Sequence, residues 1–177
     1  MEQVKAFAQS IAVSIVTFFG FSASAANYVY VFLISMLPIV ELRGAIPVAF
    51  ALGLDPIKSY IVSVVGNLVP VPFILLLITR VCDMLKKTEL LKWFPEWVEK
   101  KVAKNEEKVT KYKNFGLFLF VAIPFPGTGA WTGALIASFI GYKFKDAFLS
   151  ILLGVLTAGL VMSALSFGLI DFIIGLF

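Results

Sequence analysis

Apolar residues run through this chain in long blocks, and the polar positions that interrupt them mark out the elements. Residues 28–54 are apolar except at Leu37-Pro-Ile-Val-Glu-Leu-Arg-Gly-Ala-Ile-Pro47, which places Glu41, Arg43, Gly44 and two prolines (Pro38, Pro47) in the middle of the run. A membrane-spanning helix needs roughly 20 residues, and the pieces on either side of the break, 28–37 and 45–54, are each about ten long. At ~1.5 Å per residue each reaches about halfway across a bilayer. The pattern predicts a re-entrant hairpin: in to Pro38, a turn through Glu41–Gly44, and back out to Gly53. Asp55-Pro56 then marks a loop. Residues 57–79 predict a full span, kinked or partly unwound by Asn67, Pro70 and Pro72.

The second half has the same order. Residues 115–141 predict a second hairpin, with arms Phe115–Ile123 and Ala130–Gly141 and a turn at Pro124–Gly129. Residues 143–165 predict a second full span. Residues 166–177 are apolar apart from Asp171 and too short to span, so they either finish the last helix or lie at the interface. At the other end, residues 1–26 carry Lys5, an apolar run from Ile11 to Phe21 and Ala23-Ser-Ala25, the pattern of a signal peptide. We read them as a first membrane helix over about 5–25, with the small residues as packing positions.

Residues 80–114 differ in kind. They hold Arg80 and nine lysines out of 15 basic residues, with six acids among them. Pro95 divides them into two expected helical pieces. Glu96/Lys100 and Glu107/Lys111 have the i,i+4 spacing, acid first, of an exposed helix. Met84, Leu85, Leu90, Leu91, Trp93, Phe94 and Trp97 predict that the first piece lies on the bilayer surface. A solvated amphipathic connector is the plainer reading, and partner binding the alternative.

The halves align at an offset of 88, which places Ala45, Ala49, Gly53 and Gly66 on Gly133, Ala137, Gly141 and Gly154. Before the breaks, Pro38 and Pro124 match at an offset of 86, so the second turn is expected to be two residues longer. Such small-residue stripes let helix backbones approach closely. Because Lys and Arg mark the cytoplasmic side, the 80–114 segment is placed inside, with Lys5, Lys143 and Lys145. Lys58 falls outside and Arg43 within the membrane. Hairpin one then enters from outside and hairpin two from the cytoplasm, so the repeats are inverted. Opposed broken helices that meet near the midplane are the design of a secondary transporter.

Composition agrees. Of 177 residues, 60% are hydrophobic and 15% charged, and the mean hydropathy is +0.96. Soluble domains average roughly 45–50% apolar and about 25% charged. The expected fold is an all-α integral membrane protein of one domain, 1–177, with repeats at 28–79 and 115–165. The net charge of +4 does not point to nucleic acid, because the lysines cluster in one segment. The chain has no His and one cysteine, Cys82, so Ser–His catalysis, His-ligated zinc, an intrachain disulfide and a cysteine metal cluster are excluded. No cofactor, metal or enzymatic activity is expected.

The pairing of Pro38-Ile-Val-Glu-Leu-Arg-Gly-Ala-Ile-Pro47 with Pro124-Phe-Pro-Gly-Thr-Gly-Ala-Trp-Thr-Gly-Ala134 resembles the putative small multidrug export protein family, over nearly the whole chain. More distantly the arrangement is similar to the DedA/VTT superfamily, whose hallmark is two opposed re-entrant hairpins. Its members are implicated in moving phospholipids or polyprenyl-phosphate carriers across bilayers, in bacteria with proton coupling. That resemblance implies a membrane acid at Glu41, joined by Asp55. It also implies an arginine in the second hairpin, where this chain instead has Gly127, Thr128 and Gly129.

The residues themselves allow the same chemistry. Glu41 is suited to take up a proton, since burial disfavours a charged carboxylate. Arg43 stays protonated and suits a phosphate. Pro126, Gly127, Thr128 and Gly129 lead into a helix whose first N–H groups favour an anion, and Thr128 and Thr132 add hydroxyls. The alternatives are that Glu41 and Arg43 form an ion pair that pins the hairpin, that helix breaking alone explains the second turn, that Trp131 only packs, and that Asn67 is interhelical glue rather than cavity lining. The expectation is a plasma-membrane transporter or flippase for an amphipathic anion, with membrane lipid around it and a second copy of the chain as partner. Export of small cationic drugs and a structural or chaperone-like subunit are the competing readings.

Overall fold

The computed structural model describes residues 23–86, 93–110, 113–125 and 127–168, together with Ser10 and Ser14. Most of the expected N-terminal helix over 5–25, Leu90, Leu91, Lys111, Pro126 and most of 166–177 lie outside the described residues. The described chain is helical throughout: α1 (Ala23–Ser35), α2 (Glu41–Ala51), α3 (Pro56–Leu68), α4 (Pro70–Lys86), α5 (Trp93–Thr110), α6 (Lys113–Ala122), α7 (Ala130–Ile140) and α8 (Phe144–Ser166). It forms two compact units. One comprises the chain up to Asn67 and from Ala158 onward, the other Leu68–Thr157.

In the first unit, α1 and α2 form a helical hairpin. The described part of helix α1 begins at Ala23, ahead of the apolar run expected from residue 28, and takes in the small residues Ala23-Ser-Ala25. Its end tightens, with Met36 N–H bonded to Leu33 O and Leu37 N–H to Ile34 O. Pro38 then stops it, because proline has no N–H and disfavours helical backbone in the residue before it. The turn is therefore residues 36–40, and the expected turn at Glu41–Gly44 is corrected: those residues are the first turn of α2. Ala45 and Ala49 are buried against Tyr30, Val31 and Ile34, so the small-residue stripe is the seam of the hairpin. Gly53, at φ +65°, closes α2, with Leu54 N–H bonded to Ala49 O at 3.0 Å.

Helix α3 follows. Asp55 caps it: its Oδ1 accepts the Lys58 N–H at 2.8 Å, and Pro56 sits at the first helical position. Ile57, Ile61 and Val65, four residues apart, are exposed along one face, while Ser59, Ser63 and Asn67 are buried along the opposite one. A helix with its apolar face outward and its polar face inward is arranged for lipid rather than water. Val69 then interrupts the helix, where Pro70 and Pro72 withhold N–H groups from the carbonyls of Gly66 and Leu68.

In the second unit, α6 and α7 form the other hairpin, and α4 and α5 pack on α7. Most of α7 is buried, and Gly141, at φ +79°, closes it with Tyr142 N–H bonded to Ala137 O at 2.9 Å. The charged segment departs from expectation in two ways. Pro95 does not divide it, since it lies in the first turn of α5, where no helical N–H is needed. Nor is α5 a solvated connector: Val98, Val102, Asn105 and Val109 form a buried stripe at i, i+4, i+7, i+11, and the helix packs against α4, α6 and α7. Trp93 and Trp97 stay exposed.

The arms of the hairpins have 10 to 13 residues, about 15–20 Å against a hydrocarbon core of ~30 Å. Two stretches, Pro56–Leu85 and Phe144–Ser166, are long and apolar enough to cross a membrane. Neither is the hidden core of a soluble protein. Phe73, Leu76 and Leu77 on α4, and Leu149, Leu153, Leu160 and Leu165 on α8, are exposed.

Candidate functional site

The head of the first hairpin holds the candidate site. The tip residues Pro38 and Ile39 are exposed, Ile39 by 87%, yet Glu41, two positions on, is only 5% exposed. Among the described residues Glu41 is the one non-glycine with positive φ, at +50°. Its N–H bonds Leu37 O at 2.9 Å, so the chain turns sharply through the acid as it enters α2. Such a backbone costs of order 1–3 kcal/mol and persists where the surroundings enforce it, commonly at functional sites. The start of a helix also favours a negative charge. Arg43 lies in the same turn, half-buried and close enough to Glu41 for the two charges to attract. Gly44 completes the head, because a side chain there would run into Val40 Cγ1. Pro47 has no N–H for the Arg43 carbonyl four residues back, which loosens α2 beneath the pair.

Asp55 lies at the far end of α2 from Glu41 and is exposed. It caps α3, and its N–H donates to the Tyr28 hydroxyl at 3.2 Å. Asn67 does not glue helices together: it is 1% exposed, and neither its oxygen nor its nitrogen has a hydrogen-bond partner among the described residues. Ser59 and Ser63 share that condition and were not singled out from sequence. Their spacing, three small polar residues four apart in an apolar run, was the available signal.

The head of the second hairpin is built from glycine. Gly127 has φ +87°, and Gly129 has φ +131° with ψ −177°, a region open to glycine almost alone. The Thr128 hydroxyl donates to the Phe125 carbonyl at 2.8 Å, with Ile123 O 3.0 Å away, which holds the turn. Gly129 N-caps α7 without a side-chain bond. Thr132 is buried in α7, Trp131 is half-buried, and Phe125 is exposed at the tip. Glu41, Arg43 and Gly44 belong to the first unit, and Gly127, Thr128, Gly129 and Thr132 to the second. A groove of about 380 Å³ in the second unit lies between α6 and α8, lined by Phe115, Phe118, Asp146, Leu149 and Leu153 among others. None of the residues expected to form a site lines it.

No group of three or more His, Cys, Asp or Glu able to hold a metal occurs among the described residues. The sequence pattern of the family described as "Putative small multi-drug export protein" matches residues 41–161, well over half of the chain. The chain belongs to that family. The match begins at Glu41, takes in Arg43, Gly44 and the whole turn of hairpin two, and ends within α8 at Val161; residues 1–40, with the entering arm and turn of hairpin one, and 162–177 lie outside it. The family is described by export, which is a transport role and not a catalytic one. No curated protein and no solved structure matches the chain.

Proposed function

We propose that this chain is a small transporter of the plasma membrane that moves an amphipathic anion, a phospholipid or polyprenyl phosphate, with coupling to protons. One observation carries the reading: a buried acid, held in a strained backbone beside an arginine, at the head of a short hairpin in an apolar chain. Intramembrane ionisable groups are costly and mark transport pathways. Arg43 offers a planar set of donors that fits a phosphate. Glu41, attracted to Arg43 while that residue is unoccupied, takes up a proton when the phosphate claims the guanidinium, so binding and protonation are linked. Asp55 takes part only as the exposed acid at the mouth of the hairpin.

The hairpins are read as re-entrant and the halves as an inverted repeat, with 80–114 on the cytoplasmic side because it carries most of the positive charge. Matched geometry supports the repeat. The turns are five residues (36–40) and seven (123–129), the expected difference of two. Gly53 and Gly141 close α2 and α7 with equivalent bonds.

The test is reconstitution into vesicles of defined lipid with labelled phospholipid or polyprenyl phosphate. Movement that depends on a proton gradient, and that Glu41→Gln makes independent of it, is expected. No movement of either lipid would overturn the reading. The family description favours a second reading, export of small cationic drugs with Glu41 as the binding carboxylate. A guanidinium two residues away repels such a cation. If vesicles accumulate a cationic dye but move no lipid, the second reading replaces the first.

A further inference from the structure

Serine and threonine inside apolar helices normally return their hydroxyl to the carbonyl four residues back. Ser138, Ser150 and Thr157 do so here, at 2.8, 2.8 and 2.9 Å. Ser59, Ser63 and Ser163 do not. Their hydroxyls are buried without a hydrogen-bond partner among the described residues, as are both amide atoms of Asn67. Ser59 and Ser63 are 0% exposed. A buried polar group left unpaired is expensive, and five such atoms in one unit of the fold call for a common cause.

They share one place. On α3, Gly66 packs against Phe32 and Ser35 of α1, while Tyr60 and Val64 pack against Gly159 of α8. At 100° per residue, Ser59, Ser63 and Asn67 lie between those two contact faces, in the wedge bounded by α1 and α8. Phe167 stacks edge-on against Phe50, near the start of α3, and Gly159 meets the middle of α3. The end of α8 therefore runs antiparallel to α3, and Ser163, midway between those contacts, faces the Ser59 end of the wedge. From Ser59 to Asn67 the stripe rises about 12 Å at ~1.5 Å per residue. It starts one turn from the exposed Asp55 and ends beside Gly66, which sits against Ser35, the last residue before the turn that leads to Glu41.

The chemistry of the atoms narrows the occupant. A bare cation would suit the hydroxyl and amide oxygens but would repel the Asn67 NH₂. An anion would leave the Asn67 oxygen unpaired. Water both donates and accepts, and buried water typically makes two to four hydrogen bonds to such groups. We infer that Ser59, Ser63, Asn67 and Ser163 line a file of water along α3, running from the Asp55 loop to the head of the first hairpin. The file is an aqueous route through an apolar wall, and it brings protons to the level of Glu41. That last use rests on the coupling role proposed for Glu41; the file itself does not.

The test uses the single cysteine. With Cys82→Ala as background, Ser59→Cys, Ser63→Cys and Asn67→Cys are compared with Ile61→Cys on the lipid-exposed face, in proteoliposomes. Silver ion, which travels through water and bonds thiolate, is the probe; the protected fraction is read by maleimide labelling after denaturation. Thiols in apolar surroundings stay protonated and slow, so Ser59→Cys and Ser63→Cys are expected to react at least about tenfold faster than Ile61→Cys. Equal rates would overturn the file. Thermal melting of Ser63→Ala gives an independent reading. A raised Tm means a dry, unpaired hydroxyl has been removed and overturns the file; an unchanged or lowered Tm supports it. A wet file with unaltered proton dependence in Glu41→Gln leaves the file standing and removes Glu41 from coupling. A dry wedge with coupling lost in Glu41→Gln does the reverse.

Discussion

Hairpin one turns through five residues and starts its returning helix on a buried acid at φ +50°; hairpin two turns through seven and starts its own on a glycine at φ +131°. Behind those heads the two are built alike. Gly66, in the long helix after hairpin one, would place a Cβ 2.7 Å from the Phe32 carbonyl of the entering arm. Gly154, in the long helix after hairpin two, would place one 3.0 Å from the Phe118 carbonyl. Phe32 and Phe118 are 86 apart, and Gly66 and Gly154 are 88 apart, the two offsets that align the sequence before and after the breaks. The packing frame is thus present twice, while the charged chemistry is present once. The frame answers to helix contact, and the head of hairpin one carries the charges on which the proposed transport rests.

The largest expected effect tests the shared frame. Gly66→Val and Gly154→Val each force a side chain against an arm that cannot recede, since the nearest atoms include backbone oxygens. Overpacking of this kind costs about 1–3 kcal/mol and sometimes more, and both variants are expected at or above the top of that range. Size-exclusion profiles in detergent and thermal melts would check it. A severe loss at one glycine and none at the other would break the equivalence.

The next effect tests the difference between the heads. Arg43→Gln leaves the buried Glu41 carboxylate beside a neutral side chain. The expected cost is about 1–3 kcal/mol, the range for a buried group deprived of its partner. It should appear as a lowered Tm at pH 8 that is largely restored by adding Glu41→Gln. Thr128→Val at the other head removes only a turn-holding hydroxyl bond and should cost about 1 kcal/mol, with transport retained. If the two variants lose transport equally, the chemistry is not confined to the first head.

Much of this was legible in the sequence. Pro38 and Pro124 announced where the arms end, and the small residues at 45, 49, 53 and 66 announced the seams, because proline and glycine act through local backbone geometry. The turn of hairpin one was misplaced by a few residues because Glu41 and Arg43 looked like turn residues. A buried acid beside an arginine can instead begin a helix, which no local propensity records. The valine stripe of α5 was overlooked among its lysines, since Val98, Val102 and Val109 acquire meaning only once α6 and α7 offer a face to cover. Ser59 and Ser63 were invisible for the opposite reason. Serine is ordinary in apolar helices, and only the missing back-bonds set these two apart.

The smallest effect is the sharpest test of likeness. Gly53 and Gly141 each take a left-handed backbone, each has nothing within 4 Å of where a Cβ would stand, and each ends its helix with a bond reaching five residues back. Alanine at either position meets no neighbour, so its cost is backbone strain alone, roughly 1–2 kcal/mol. Because no packing enters, the two variants should lower Tm by nearly the same amount, whatever surrounds them. Asparagine, which tolerates the left-handed region better, should recover part of the loss at both sites. A matched pair of shifts would tie the end of α2 to the end of α7 through backbone geometry alone. Unequal shifts would mean that one closure moves on substitution, and the likeness of the two hairpins would then stop at their seams.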